Sequence, residues 1–386
     1  MEMPGGTYMR KILFFRWGSF MDAAIERTLN KMGIIYKTYD YCFSDWDKDQ
    51  FFLETFLNYM KKNDYEIVFS VNFSPLISEV CQELEREYIS WIYDSPIHIR
   101  NLEAMMNDCN RIFLFDRGLV ESYQKMGISV THLPLAVDSE LFLEAVKKRH
   151  GEYISEIAMV GQLYKTQYQY FMSPLSEYEK GFFEGIINAQ MKLNEVNMIP
   201  QWITDDILEK MNEVYAEVSV DKFQMGRREL EFLLAQEVTA RERYLALSLL
   251  SLHYQVKLYS NDNDERLKNV EFCGYVDYHT QMPAIFANTS INLNISLRTI
   301  QSGIPLRVLD ILGCGGFVIS NYQSEIEEYF DIGQEIEIYS CLEELLEKSE
   351  FYLRRETLRK KIEQAGLARV QKDFSFEDRI RQMLHV

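Results

Sequence analysis

Residues 292–321 read NLNISLRTIQSGIPLRVLDILGCGGFVISN and contain a complete strand–helix–strand unit. The apolar run at 291–295 (INLNI) predicts a strand. A polar loop with Ser296, Arg298, Ser302 and Gly303 follows. A helix opens at Ile304 and Pro305, because proline suits the first helical turn. Gly313, Gly315 and Gly316 then end the helix and turn the chain into a second buried run, 317–321 (FVISN). Two apolar runs joined by a helix of this length are parallel neighbours.

The same alternation extends in both directions. Short β-rich runs at 11–15, 36–41, 66–73, 89–93, 111–115 and 130–135 are separated by helical stretches such as 20–32 and 47–62. The pattern restarts with runs at 156–161, 256–260, 270–275, 291–295, 317–321 and 335–339. Runs this apolar predict strands buried on both faces, hence parallel sheets covered by helices. The expected fold class is α/β, with two Rossmann-like doubly wound domains facing each other across a cleft. The seam is expected at the polar run 147–153 (KKRHGEY), which gives an N-terminal domain 1–150 and a second domain 151–372. Residues 168–253 carry helical pattern and almost no strand signal, so they predict a helical insertion in the second half. Pro75, Pro96, Pro283 and Pro305 each predict a helix start. Ligands of such sheets bind at the carboxyl ends of strands.

Composition narrows the partners. The 386 residues are 47% hydrophobic and 26% charged, as in ordinary globular chains, and the formal charge is −18. That field repels nucleic acid. The six cysteines form no CxxC pair and read as buried free thiols rather than a metal site or disulfide framework. Residues 1–10 have no apolar signal core, and the longest apolar stretch, near 244–252, falls short of the ~20 residues that span a bilayer. The expected location is the cytoplasm. Asp205-Asp206 and residues 262–264 (DND) read as a helix start and a turn, so no metal site is expected.

The chemistry concentrates at the loop before Pro305. A helix N-terminus with a glycine beside it is an anion site, and Arg298 and Arg307 add charge-assisted contacts suited to phosphate. Asp310 lies about 10 Å further along the axis, at 1.5 Å per residue, where a carboxylate can take the hydroxyls of a ribose attached to that phosphate. The plain alternative is an i,i+3 surface ion pair between Arg307 and Asp310.

These residues resemble the donor-binding segment of group 1 glycosyltransferases of the GT-B fold, more narrowly the spore-maturation-protein-like (CgeB-like) branch. The resemblance is carried by Asn294-Ile295-Ser296, Ser302-Gly303-Ile304-Pro305, Arg307, Asp310 and Cys314-Gly315-Gly316-Phe317. It continues through 272–286 (FCGYVDYHTQMPAIF), through the segments RWGSFMDAAIERTL, WIYDSP and LPLAVD of the first half, and through the tail 373–384. The family usually has Glu where this chain has Asp310. The resemblance implies transfer of a sugar from a nucleotide diphosphate sugar, UDP-linked, to an acceptor hydroxyl, without metal or other cofactor and with retained configuration. It implies donor contacts from Gly161, Lys165, Tyr275, Asn294, Ser296, Arg298, Ser302, Gly303, Ile304, Pro305, Arg307 and Asp310. It places Trp17 and Gly18 in a loop facing the acceptor, and a C-terminal helix, 373–386, back on the first domain.

Asp94 follows the fourth strand and is a candidate general base, with His98 beside it. The competing reading makes Asp94 the N-cap of a helix opening at Pro96. Asp116 and Arg117 read as a cap or an ion pair. The acceptor is left open among glycan, protein and small molecule. The helical insertion is a candidate to shape the acceptor site or to form a homodimer. Two other functions compete: a non-catalytic spore-coat or envelope assembly protein keeping the fold, and a sugar-nucleotide epimerase or phosphorylase.

Overall fold

The computed structural model describes residues 10–97, 99–149, 151–194, 196–218 and 223–385. His98 and the segment 1–9 lie outside the described residues. The chain divides into two compact units, Met1–Asp138 with Asp373–Val386, and Ser139–Lys372.

The first unit holds six parallel strands: β1 (Ile12–Arg16), β2 (Tyr36–Asp40), β3 (Ile67–Val71), β4 (Glu87–Ile92), β5 (Asn110–Leu114) and β6 (Val130–His132). Their order is β2-β1-β3-β4-β5-β6. The chain therefore reverses its winding direction between β1 and β3. The second unit holds β7 (Ser155–Val160), β8 (Val256–Tyr259), β9 (Val270–Phe272), β10 (Thr289–Asn294), β11 (Val318–Asn321) and β12 (Glu337–Tyr339), also all parallel. Their order is β12-β11-β10-β7-β8-β9, so the reversal lies between β7 and β10.

Central strands are apolar on both faces; all five residues of β3 are buried. The edge strands β2 and β9 depart from the buried expectation, because one side of each meets solvent. Strand ends fall short of the predicted runs where the backbone cannot continue. β6 stops two residues before Pro134, and β9 stops before Gly274, whose φ is +76°.

The division falls at Asp138 rather than in the run 147–153. The helix Ser139–Lys148 accounts for the difference, since it packs on the helices Met282–Asn288 and Leu306–Gly313 of the second unit. The tail helix Phe376–Leu384 packs on the helix Asp22–Lys31. Arg379 Nε donates to the Pro134 carbonyl at 2.9 Å, and Phe376 meets the buried Trp91 edge-on at 5.8 Å.

Between β7 and β8 lie the helices Tyr168–Met172, Glu177–Gln190, Ile199–Trp202, Asp205–Val218 and Arg227–Leu250. They enclose a core of their own around Phe183, Ile187, Met211, Tyr215 and Leu234. The last helix spans both cores: Leu230 to Val238 face the insertion, and Ala246, Leu247 and Leu250 join the core of the β7–β12 sheet.

Of the four prolines expected to open helices, Pro96 is the exception, because among the described residues no helix starts beside it. Asp47 takes the backbone N–H groups of Arg100 and Asn101 at 3.0 and 3.1 Å and holds that stretch irregular. Asp94 is thus not a helix cap. Asp116 is one: it is buried and accepts the Leu119 N–H at 3.2 Å. Asp205 pairs with Arg227, and Asp264 holds Arg266 in a turn. Of the six free cysteines, only Cys81 and Cys314 are buried; Cys42 and Cys341 are exposed. Among the described residues no helix is long and apolar enough to cross a membrane.

Candidate functional site

In the second unit the loop after β10 is built from inside. Asn294 Nδ2 donates to the hydroxyls of Ser296 and Ser320 at 3.1 and 2.8 Å, and Ser296 N–H donates to Asn321 Oδ1 at 2.8 Å. Both residues are buried, so their side chains tie the ends of β10 and β11 together and do not present themselves to a ligand. Arg298 is a larger correction. Its guanidinium is buried against Glu242, and it also donates to Asn194. This arginine anchors the insertion to the loop. Ser302 donates its hydroxyl to the buried carboxylate of Glu325 at 2.7 Å, and so turns inward as well.

The helix after the turn runs Leu306–Gly313, with Pro305 as an N-cap that supplies no side-chain bond. Val308 N–H donates to the Pro305 carbonyl at 3.0 Å, and among the described residues no side chain caps this end, as suits an anion site. Gly303, Ile304 and Pro305 are buried beneath it. Arg307 lies 5.6 Å over the Phe286 ring and 3.4 Å from Asp310. Asp310 is 1% exposed and accepts the Tyr278 hydroxyl at 2.7 Å. Burial pushes its carboxyl up to about 6, against the opposing pull of Arg307 and Tyr278. Tyr278 thus occupies one oxygen of this carboxylate, and Arg307 lies beside the other. Tyr275 follows Gly274 and is 64% exposed, an open aromatic face.

Sequence reasoning missed the strongest cation. Arg243, on the long insertion helix, donates through Nε to the Ile295 carbonyl at 3.1 Å and through Nη1 to the Gln162 carbonyl. Those carbonyls lie just past β10 and β7, so one guanidinium clamps the two loops where the winding reverses. Its plane sits 4.8 Å from the Tyr164 ring, and its Nη1 is 3.5 Å from the place a Cβ on Gly161 would take. Among the described residues no carboxylate forms an ion pair with it. Burial pulls its pKa below the ordinary value, and neighbouring Arg307 acts in the same direction. An arginine keeps its proton regardless. The run Arg241-Glu242-Arg243 carried a signal, since consecutive helix positions point about 100° apart and three charges cannot all face solvent. Arg241 pairs with Glu184 and Glu237, Glu242 with Arg298, and Arg243 is left at the switch point.

Lys165 follows Tyr164, the ring on which Arg243 stacks. It is exposed and lines a cavity of about 900 Å³ with Tyr164, Thr166, Asp264, Arg266 and the insertion helices.

The first unit builds a second site at its own reversal, where β1, β3 and β4 end. Trp17 donates its indole N–H to the Val71 carbonyl at 2.7 Å and meets Trp46 edge-on at 5.4 Å. Asn72, at φ 59°, sits in the left-handed region that asparagine tolerates. Its Oδ1 accepts the N–H groups of Tyr93 and Asp94, and its Nδ2 donates to Asp94 Oδ2 at 2.7 Å. Trp17 and Asp94 therefore line one cavity, and Asn72 aims the carboxylate. Gly18 takes φ +91° in the exposed loop beside them. His98, the other candidate here, lies outside the described residues. No group of three or more metal-ligating side chains occurs among the described residues.

Solved structures share the fold over nearly the whole chain. Sucrose-phosphate synthase from Thermosynechococcus elongatus is 11% identical, with 97% of this chain and 98% of that one covered and a TM-score of 0.57. A glycosyltransferase from Rickettsia africae is 12% identical, with 98% and 97% covered and a TM-score of 0.55. The chain has the GT-B fold. A third GT-B relative in structure, Anabaena HepE solved with UDP and glucose, is 10% identical, with 97% and 99% covered and a TM-score of 0.52. Residues 228–385 match a family model described as glycosyl transferase-like. No curated protein matches the chain. The family match begins in the long insertion helix and takes in Arg243, Arg307 and Asp310, the residues of the GT-B second unit described above.

Proposed function

We propose that this GT-B chain is a glycosyltransferase that moves a sugar from a nucleoside diphosphate, UDP-linked, to an acceptor hydroxyl. The observation that carries the reading is Arg243. A half-buried guanidinium that forms no carboxylate ion pair among the described residues is costly, and a bound anion relieves that cost. The uncapped N-terminus of the helix Leu306–Gly313 and the side chain of Arg307 add to the same field. As the bond between the anomeric carbon and the diphosphate breaks, the electron pair goes to the diphosphate oxygen. Arg243 acts on that charge as a fixed dipole and cation already in place, with no metal ion required. Tyr275 offers a stacking face for the base. The acceptor hydroxyl that attacks the anomeric carbon gives its proton to a general base, for which Asp94 is the candidate. That HepE was solved with UDP and glucose supports UDP as the first donor to try. The narrower spore-maturation-like placement rests on the motifs at 294–296, 302–305 and 314–317.

The covered Asp310 and the inward Ser302 favour a second reading, an assembly protein that keeps the fold without catalysis. Thermal unfolding with UDP, GDP and CDP separates the two. A ligand at 100 times its Kd adds about 2.7 kcal/mol of stability, which is readily seen as a raised melting temperature. UDP is expected to raise it and UDP-glucose to release UDP. If no nucleotide moves the transition, the transferase reading is withdrawn.

A further inference from the structure

We infer that the cavity between the helical insertion and the loops after β7 and β8 binds a neutral oligosaccharide. This ability does not rest on the transferase reading. The cavity measures about 900 Å³. At roughly 30 Å³ per water it holds about thirty waters, which puts it at the upper end of ligand pockets and gives room for a short chain of rings rather than one. One wall is a single face of the long helix Arg227–Leu250, where Glu237, Ala240, Arg241, Tyr244 and Leu245 recur three and four positions apart. Ala240 sits in the middle of that face, and its short side chain leaves a hollow between the larger ones. The loops after β7 and β8 supply residues 163–166 and 263–266, and the helix Glu177–Gln190 supplies Asn188.

The lining is polar and electrically balanced. Among the described lining residues Lys165, Arg241 and Arg266 stand against Glu237, Asp264 and Glu265. Most of these charges already hold one another in place. Arg241 donates through both Nη atoms to Glu184 at 2.7 and 2.8 Å and through Nε to Glu237 at 2.8 Å, and Thr166 donates its hydroxyl to the other oxygen of Glu237. Asp264 takes Arg266 Nε and Nη2 at 3.0 and 2.6 Å. Lys165 and Glu265, both exposed and opposite in sign, complete the balance. A lining without net charge suits a neutral ligand that carries many hydroxyls. Such hydroxyls need partners that both donate and accept. The amides of Gln169, Asn188 and Asn263 do both, and none of these three side chains bonds elsewhere among the described residues. Tyr164 and Tyr244 add half-buried rings, held by the stacked guanidiniums of Arg243 at 4.8 Å and Arg266 at 4.4 Å. A sugar chain matches this division: its C–H faces pack on the rings and on Leu163 and Leu245, and its hydroxyl edges reach the amides.

The test uses the full chain. Maltotriose, cellotriose and chitotriose are titrated by calorimetry and saturation-transfer NMR, with glucose, N-acetylglucosamine and UDP beside them. At least one trisaccharide is expected to bind, about tenfold or more tighter than its own monosaccharide, because the cavity holds several rings. Ala240→Phe fills the hollow and should weaken that trisaccharide about tenfold or more. Asn188→Ala removes an exposed amide, leaves the core untouched and should weaken it about threefold or more. Both variants should keep the wild-type affinity for UDP. The inference is overturned if no trisaccharide binds, if trisaccharide and monosaccharide bind equally, if both variants bind as the wild type does, or if UDP displaces the trisaccharide. Trisaccharide binding without UDP binding defeats the donor reading and leaves this one standing; UDP binding without trisaccharide binding does the reverse.

Discussion

Asp310 illustrates what burial does to a carboxylate. Its ordinary value is 3.8 and burial pushes it up to about 6. A raised acid favours the folded state in its protonated form. The stability from this group is complete below about pH 4 and is lost as pH rises to about 6. A shift of this size corresponds to about 3 kcal/mol. Asp310→Asn, which keeps the shape and can still accept from Tyr278, should gain on the wild type across that window. Melting temperatures from pH 4 to 7.5 should converge at the acid end and separate above pH 6; a constant difference would remove the assignment. Asp22, also pushed up to about 6 by burial, has the same sign. Arg243 makes the complementary prediction. Arg243→Gln should weaken UDP binding tenfold or more, since charge-assisted bonds are worth about 1.5–3 kcal/mol. Arg243→Lys keeps the charge but not the fork that spans two carbonyls, and should fall between. Calorimetric titration with UDP measures all three.

At the scale of elements, the long helix Arg227–Leu250 ties the insertion to the loop after β10 through the buried pair Glu242–Arg298. Removing one partner strands a buried charge, so Glu242→Ala or Arg298→Ala should cost about 3–5 kcal/mol, whereas replacing both by apolar residues of similar size should cost far less. Urea unfolding of the three variants checks this; a loss in the double variant equal to the sum of the two single losses would mean that the pair is not coupled. The glycine turn after the next helix is equally specific. A Cβ on Gly316 would lie 2.6 Å from the Phe286 carbonyl oxygen and 3.0 Å from Asn292 Nδ2. Gly316→Ala should therefore cost about 1–3 kcal/mol, as other overpacked sites do, read from the same urea curves. Here the CGGF motif serves packing of β11 beside β10.

At the scale of the molecule, the two reversals of winding, β1/β3 and β7/β10, each carry a cluster of polar groups at the strand ends. Hydrogen exchange on the full chain should show UDP protecting peptides that cover 161–165, 227–250 and 295–310, and leaving 17–22 and 72–94 unchanged. Protection confined to the first unit would place the nucleotide elsewhere.

The order of elements, the parallel strands and the helical insertion were legible in the chain itself, since apolar runs of five or six residues, prolines at helix starts and the Gly315-Gly316 turn act over short distances. Candidate loops were legible for the same reason, because doubly wound sheets bind at strand ends. Contacts over long separations were not. Arg243 meets Ile295 and Gln162 across 52 and 81 positions, and Asn72 meets Asp94 across 22. No periodicity encodes such pairs. Whether Arg298 faces a ligand or Glu242, whether Asp310 is open or lies under Tyr278, and that the first unit ends at Asp138 were decided by packing. Buried charges settle on whichever partner the folded chain brings within reach.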